Sequence, residues 1–254
     1  MLRSVSSLDG ATVRATDGEI GSVKEAYFDD DAWTIRYLVV GTGTWFTGRE
    51  VLISPYSVKQ PMTDRTVVDV SLTREQVKNS PDIDTHKPVS RQNEQSYLGY
   101  YGYPVYWGGP GLWAGGVYPV LPPEQPTPVE REVMARENEV RQEDVHLRST
   151  DKVSGYDIQA TDDTIGHVED FIFDDESWAI RYLVVDTRNW WPGGKRVLVA
   201  THWIERIDWA DSKVYTRLDR ESIKNGPEYN PELPIDRDYE TRLHAAHRLE
   251  GYWV

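Results

Sequence analysis

The feature that most constrains the fold of this chain is an internal repeat. Residues 10–48 align with residues 155–193 at an offset of 145, with 20 identities in 39 positions. The densest match is residues 33–40 against residues 178–185, where seven of eight residues agree. Self-similarity at a fixed offset indicates one structural unit used twice. We therefore expect two copies of a unit that spans about residues 9–107 and 155–253.

The match continues past these segments, after one inserted residue near Gly193 moves the offset to 146. Lys78-Asn79-Ser80-Pro81 then meets Lys224-Asn225-Gly226-Pro227. Each copy also has a tail that ends in Tyr-Trp. In these tails the positions that coincide are Pro88, Arg91, Glu94, Tyr106 and Trp107 with Pro234, Arg237, Glu240, Tyr252 and Trp253.

Composition excludes several classes of function. The 254 residues include no cysteine, so there is no disulfide, no thiolate zinc site and no thiol nucleophile. The formal net charge of −14 disfavours nucleic acid and anionic membranes as partners, because both would repel the chain. No apolar run approaches the 18 or so residues of a membrane helix, and the N-terminus lacks the apolar core of a signal peptide. We expect a cytoplasmic protein without membrane insertion.

Each copy contains the signals of a small β-barrel. Ala-Thr-Asp at residues 15–17 and 160–162 introduces a hairpin, and an acidic turn ends the next strand at residues 29–31 and 174–176. A strand that is apolar on both faces follows at residues 33–40 and 178–185. Five or six short strands in about 65 residues indicate a small closed barrel. Thr73 and Asp219 then begin a short helix, which a proline ends.

These motifs together carry a family resemblance. The hairpin with Asp-x-x-Ile-Gly-x-Val, the Arg-Tyr-Leu-Val-Val strand and the Lys-Asn-x-Pro helix end resemble the PRC-barrel family over residues 9–81 and 155–227. The family takes its name from the cytoplasmic domain of the photosynthetic reaction-centre H subunit. The resemblance implies a β-barrel adaptor that contacts other proteins, with no catalytic residues to carry over. The expected fold is mainly β, with two tandem PRC-type barrels related by pseudo-two-fold symmetry, each with a short helix and an irregular C-terminal tail.

The predicted domains are a first barrel at residues 1–90, a tail and linker at 91–150, a second barrel at 151–228 and a C-terminal tail at 229–254. Within the linker, residues 97–123 are rich in Tyr, Trp, Gly and Pro and have neither helical nor strand period, which predicts irregular chain. Their aromatic rings either pack across a groove of the barrels or form an exposed patch that recruits a partner. Residues 130–148 alternate acid and base and suggest a solvated helical spacer.

Two groups of side chains have the composition of a metal site. The acidic turns at residues 29–31 and 174–176 offer clustered oxygen ligands but lack the spacing of a calcium loop, so solvated turns are expected. His244 and His247 follow Glu240 at helical spacing. Repeat one has leucine and tyrosine in place of the histidines, which favours an exposed helix face. We expect no metal and no cofactor.

The repeated strand also contains a charged residue in each copy, Arg36 and Arg181. A buried arginine requires a partner, and the acidic turns offer carboxylates. A structural ion pair is favoured over a ligand-binding arginine. We assign the neighbouring Trp33 and Trp178 a structural role as well.

The sequence thus predicts a non-catalytic protein-interaction or scaffolding module. It has no phosphate-binding glycine loop, nucleophile elbow or zinc motif, so an enzyme is not expected. The expected partner is another protein, unidentified, or a second copy of the chain. The alternative is a small-ligand sensor, linked to photosynthesis or stress by family analogy, which would use a cleft lined by Trp45, Trp190 and Trp191. The other candidate binding residues are Tyr103, Tyr106 and Trp107.

Overall fold

The computed structural model describes residues 1–43, 48–64, 66–81, 89, 91–107, 111–113, 115–121 and 147–253. Its strands are β1 (Leu2–Ser4), β2 (Thr12–Ala15), β3 (Gly18–Asp29), β4 (Thr34–Gly41), β5 (Glu50–Ile53), β6 (Val67–Asp69), β7 (Leu147–Ser149), β8 (Asp157–Gln159), β9 (Thr164–Asp174), β10 (Ile180–Asp186), β11 (Arg196–Ala200), β12 (Ile204–Asp208) and β13 (Lys213–Thr216). Its α-helices are α1 (Arg74–Lys78), α2 (Arg91–Tyr101), α3 (Thr150–Val153), α4 (Arg220–Asn225) and α5 (Arg237–His247), and 3-10 turns lie at Ser6–Leu8, Pro55–Ser57 and Thr201–Trp203.

The strands form two sheets of the same design. One has the order β5-β4-β3-β2-β6, with β7 paired to β3. The other has the order β11-β10-β9-β8-β13-β12, with β1 paired to β9. In each sheet the hairpin strand pairs in parallel with a strand that follows much later in the chain, β2 with β6 and β8 with β13. The prediction of a mainly β chain with two tandem units is confirmed.

The compact units do not follow chain order. The N-terminal unit consists of Ser7–Ser149 with Glu176–Ala179, and the C-terminal unit consists of Met1–Ser6, Thr150–Asp175 and Ile180–Val254. The first strand of each repeat, β1 or β7, therefore lies in the unit that contains the other repeat's barrel strands. The division predicted from the sequence places β1 in the first barrel and β7 at the end of the linker.

The glycine of the Ile-Gly-x-Val motif permits close approach of neighbouring strands. A Cβ on Gly21 would lie 1.9 Å from the carbonyl oxygen of Gly41, and one on Gly166 would lie 2.6 Å from that of Asp186. Gly166 also has a φ of +153°, which side chains rarely allow. The two longest strands, β3 and β9, pass their antiparallel partners β4 and β10 at these points.

The short helices begin where the sequence predicts. Thr73 forms a capping box with Gln76, with Thr73 N donating to Gln76 Oε1 at 2.8 Å. Asp219 accepts from the backbone N–H of Ser222 at 2.7 Å. The aspartate of the Ala-Thr-Asp motif adds a second cap, because Asp17 accepts from the backbone N–H of Arg74 at 2.8 Å. Asp162 does the same for Arg220, so the hairpin motif and the helix are linked in both repeats.

The tails differ from the expectation of irregular chain, because each contains an eleven-residue helix, α2 or α5. The buried positions of α2 follow helical spacing, at Glu94, Tyr97 and Leu98. Because the first of these buried positions is a glutamate, the apolar residues alone do not show helical periodicity. The prediction of irregular chain for residues 97–123 is therefore wrong for residues 97–101, which are helical. Among the described residues it holds from residue 102 onward.

The predicted charged helix lies mostly outside the described residues, at 130–146. Its last two residues, Leu147 and Arg148, are in strand β7 and not in a helix. Among the described residues, no helix combines the length and the apolar character that crossing a bilayer requires.

Candidate functional site

The central strand of the N-terminal unit presents a fully enclosed arginine. Arg36 is 2% exposed, and its Nη2 lies 3.2 Å from Asp29 Oδ2. Its Nη1 donates to the carbonyl oxygen of Leu112 at 2.5 Å. The guanidinium carbon lies 3.9 Å from the ring centre of Tyr106 and 4.8 Å from that of Trp113. The side chain is thus held by an ion pair, a hydrogen bond and two aromatic faces, which leaves no surface for a ligand.

The equivalent Arg181 has a simpler environment. It is half-buried, and its guanidinium carbon lies 4.1 Å from the ring centre of Tyr252. Among the described residues no carboxylate forms an ion pair with it, although Asp174 occupies the position that Asp29 has in repeat one. The stacking on a tail tyrosine is shared by both repeats, and the ion pair to the acidic turn is found in repeat one.

A buried glutamate connects each tail helix to the barrel. Glu94 of α2 accepts hydrogen bonds from the hydroxyls of Tyr37, at 3.1 Å, and Tyr106, at 2.5 Å. In repeat two, Glu240 of α5 accepts from Tyr182 at 2.8 Å. The sequence comparison aligns Glu94 with Glu240 but assigns neither a role. Their coincidence at the repeat offset is the signal that identifies them.

Burial determines the protonation of the tyrosines in this network. Desolvation raises the pKa of Tyr37 well above its ordinary value, and the negative charge of Glu94 raises it further. The pKa of Tyr182 rises for the same two reasons, with Glu240 as the neighbouring charge. Both phenols therefore stay protonated and act as donors.

The aromatic residues after α2 lie mainly inside the N-terminal unit. Tyr103 and Tyr106 are buried, and Tyr103 packs against Tyr56 with ring centres 5.4 Å apart. Trp113 is 4% exposed, and its Nε1 donates to the carbonyl oxygen of Ser177 at 2.9 Å. Trp107 is half-buried and meets Tyr106 edge to face. These rings pack in the unit, as one of the two sequence alternatives proposed, and Tyr103 and Tyr106 offer little surface to a partner.

The repeat-two helix face predicted to be exposed is buried, which corrects that expectation. His244 is 3% exposed, with Nε2 3.1 Å from the hydroxyl of Tyr182 and Nδ1 2.9 Å from the carbonyl oxygen of Glu250. His202 stacks on His244 with ring centres 5.6 Å apart. The C-terminal segment folds back over α5 and covers this face.

Burial of these rings lowers the basicity of the histidines. Desolvation is the main cause of the lowered pKa of His244 and His202. For His247 desolvation, with a smaller contribution from His244, lowers the pKa to about 4. His247 packs against Trp203 with ring centres 4.9 Å apart. Sequence reasoning missed this cluster because its partner, Trp203, is distant in sequence.

The acidic turn of repeat one has three carboxylates whose oxygens lie within 4.8 Å of one another, at Asp29, Asp30 and Asp31. Asp29 is 5% exposed, so the prediction of a solvated turn is wrong at this residue. Its Oδ1 accepts from the backbone N–H groups of Asp31 and Ala32, each at 3.1 Å, and its Oδ2 pairs with Arg36. Both carboxylate oxygens of Asp29 are therefore already bonded within the protein.

The second carboxylate of this turn is also engaged. Asp30 accepts from Arg148 at 2.9 Å. Burial raises the pKa of Asp30, and the bond to Arg148 opposes that rise. A cation at this turn would have to displace Arg36 and Arg148 from the two carboxylates.

The tryptophans of the alternative prediction are only partly described. Trp45 lies outside the described residues. Trp190 and Trp191 are half-buried in a loop of the C-terminal unit, where the ammonium of Lys224 lies 5.0 Å from the ring centre of Trp191. The predicted Trp-lined cleft therefore remains a prediction. The two structural tryptophans lie in left-handed turn positions, where Trp33 stacks on Phe28 and Trp178 is fully buried.

The most exposed apolar segment of the described chain follows the buried Trp113. Trp113 and Gly116 exchange two backbone hydrogen bonds, of 2.9 and 3.0 Å, which form a tight turn. Four large apolar side chains come next and are 45 to 72% exposed: Val117, Tyr118, Val120 and Leu121. This segment, called here the 117–121 segment, lies outside the residues that align between the two repeats.

The family comparison agrees with the repeat. The model of the PRC-barrel domain matches residues 2–75 and 148–223, which together make up more than half of the chain. Each match begins in the first strand of its repeat, β1 or β7, which lies in the unit of the other repeat's barrel and is called here the exchanged strand. Each match ends in the capped helix, α1 or α4. The tail helices and the 117–121 segment lie outside both matches. The comparison with curated proteins gives no match.

Proposed function

Because the chain belongs to the PRC-barrel family, we propose that it is a non-catalytic protein-interaction module whose partner docks on the 117–121 segment. The observation that carries this proposal is the exposure of four large apolar side chains within five residues, in a segment outside the aligned repeat. Exposed apolar patches on folded proteins commonly mark sites of association.

The interior networks support a binding role over a catalytic one. Arg36, Glu94 and Tyr37 are groups with catalytic chemistry, and each makes its bonds inside the unit. Glu240 and Tyr182 repeat this arrangement in the second unit. Polar residues used in this way stabilise the fold and leave recognition to the surface.

The position of the 117–121 segment suits docking. The turn at Trp113 and Gly116 fixes its beginning, since Trp113 is buried and bonded to Ser177. An apolar segment held at one end loses less conformational entropy on binding than a free chain. The net charge of −14 favours a partner with a basic surface, whose approach would be accelerated at low ionic strength.

The proposal is tested by affinity capture from the native host with substitutions that leave the interior intact. The test chain carries Val117→Ser, Tyr118→Ser, Val120→Ser and Leu121→Ser. We expect it to lose the proteins that the wild-type chain captures, at unchanged thermal stability, since all four side chains are exposed. Deleting residues 97–113 would be a poorer test because it removes Tyr97, Tyr103 and Trp113 from the core.

Leu233→Ser is the matched control, because Leu233 is also exposed, at 63%, but lies in the tail of repeat two. It is expected to capture the same partners as the wild-type chain. Capture that survives the fourfold substitution, or that is lost equally with Leu233→Ser, would contradict the proposed docking segment.

A further inference from the structure

The two exchanged strands are chemically identical. Both β1 and β7 have the sequence Leu-Arg-Ser. In β1, Leu2 lies opposite Asp174 and Ser4 lies opposite Ile172. In β7, Leu147 lies opposite Asp29, and all three pairs of β7 fall 145 residues from those of β1. Each acceptor edge therefore binds the same tripeptide in the same register.

The same ion pair fixes both strands. Arg3 Nε lies 2.8 Å from Asp175 Oδ2, with both side chains less than 10% exposed. Arg148 Nε lies 2.9 Å from Asp30 Oδ2 at the equivalent place. Each acceptor edge thus pairs with the strand through backbone hydrogen bonds, and one carboxylate of the acidic turn forms an ion pair with the arginine.

The chain crosses from one unit to the other next to each strand. Met1–Ser6 belongs to the C-terminal unit, and the N-terminal unit begins at Ser7. Val5 donates its backbone N–H to Phe171 at 2.8 Å, and Ser6 donates to Asp170 at 3.1 Å. Residues 1–6 are therefore bonded along their length to residues 170–175, which are more than 160 positions away in the chain.

We infer that β1 is an exchangeable strand and that its acceptor edge on β9 also binds β1 of a second copy of this chain. The edge contacts only the strand backbone, Arg3 and the residues beside it, and all of these are the same in a second copy. The strand of the same chain is therefore favoured over that of a second copy only by its covalent connection, which raises its effective concentration. Reciprocal exchange between two copies would satisfy both edges without any new contact. This association uses residues outside the 117–121 segment and does not depend on the proposed partner.

Charge reversal on full-length chains tests this inference. In the first variant, Arg3→Asp places a carboxylate against Asp175, so its own strand is repelled. In the second, Asp175→Arg places an arginine against Arg3, and it also removes the carboxylate that the amino group of Met1 contacts. Each variant alone has a mismatched donor and edge. Mixed together, the two variants form matched pairs only between chains.

We expect native mass spectrometry of the equimolar mixture to show a species of twice the monomer mass, at least about tenfold more abundant than in either variant alone, which corresponds to a coupling near 1.4 kcal/mol. The chain that carries both substitutions is the control and should stay monomeric, because its strand again matches its own edge. A mixture that stays monomeric while both variants are folded by circular dichroism would overturn the inference.

A peptide assay covers the case in which Asp175→Arg does not fold. The full-length Arg3→Asp chain retains the acceptor edge, so it should bind a fluorescent peptide of residues 1–6 at least about tenfold more tightly than the same peptide with Asp in place of Arg3. Equal affinity for the two peptides, or no binding of either, overturns the inference.

Discussion

Glu240 of helix α5 accepts a hydrogen bond of 2.8 Å from the hydroxyl of Tyr182, which lies in the middle of strand β10. Glu94 and Tyr37 form the same pair in repeat one, at 3.1 Å. Both glutamates and both tyrosines are buried. The pair attaches the tail helix to the central strand in each repeat, and so explains why the duplication retains the tails as well as the barrels.

The first prediction concerns this pair. Tyr182→Phe removes the donor and leaves Glu240 with one fewer partner in a buried site, so it should lower the free energy of unfolding by about 1–3 kcal/mol. Urea unfolding followed by circular dichroism measures the change. Tyr156→Phe is the control, because the half-buried Tyr156 has no hydrogen bond from its hydroxyl in the described chain. A loss for Tyr182→Phe no larger than for Tyr156→Phe would show that the pair does not stabilise the fold.

The second prediction compares the two arginines of the repeated strand. Arg36→Lys keeps the charge but loses the planar group that lies between Tyr106 and Trp113 and that bonds Leu112. We expect a loss of about 2–4 kcal/mol, by analogy with breaking a buried pair. Arg181→Lys should cost less than half as much, since Arg181 is half-buried and unpaired with a carboxylate in the described residues. Equal costs in thermal or urea unfolding would contradict the different environments.

The third prediction is a pH dependence of stability from His247. Burial lowers its pKa from 6.5 to about 4 in the folded chain. Between these values the unfolded chain binds a proton that the folded chain does not, so this contribution to stability is complete above about pH 6.5 and is lost as the pH falls toward 4. One such group accounts for at most about 1.4 kcal/mol per pH unit.

His247→Tyr introduces the residue that repeat one has at this position, Tyr101. The free energy of unfolding measured by urea at several pH values from 7 to 4 should fall less steeply in this variant. Parallel curves for the variant and the wild-type chain would rule out His247 as a source of the acid sensitivity.

The fourth prediction concerns calcium. Asp29 is bonded to Arg36 and to two backbone N–H groups, and Asp30 is bonded to Arg148. Millimolar Ca²⁺ should therefore leave the melting temperature unchanged in differential scanning fluorimetry, because binding would break two arginine pairs. An increase of several degrees, absent in Asp31→Asn, would instead identify the turn as a calcium site.

Much of the fold follows from local sequence signals. The hairpin, the capping box of Thr73 and the position of the acidic turn at the end of β3 depend on a few neighbouring residues, so they can be predicted from residue type and spacing. Helix α2 was not predicted, and α5 was predicted only as a helix face around His244, because Glu94 and Glu240 occupy buried positions where an apolar residue is expected. Their burial depends on Tyr37 and Tyr182, which are more than 50 residues away.

The strand exchange depends on the same kind of distant information. Leu2-Arg3-Ser4 and Leu147-Arg148-Ser149 are identical at the repeat offset, so the sequence does show that the repeat begins before residue 9. It does not show which acceptor edge each strand uses, because the edges share aspartate and phenylalanine at two of the three paired positions and differ only at Tyr27 and Ile172. The burial of His244 was missed because it depends on Trp203, which is 41 residues away, and on the segment after α5, where the carbonyl oxygen of Glu250 lies 2.9 Å from His244 Nδ1.

The most direct test of the central claim, that the 117–121 segment is the partner-binding surface, is site-specific photo-cross-linking in the native host. A photoreactive phenylalanine analogue replaces Tyr118 in one chain and Leu233 in a second, since both residues are more than half exposed. We expect a discrete cross-linked species from position 118 and none from position 233. Cross-links of equal yield at both positions, or none at position 118, would contradict it.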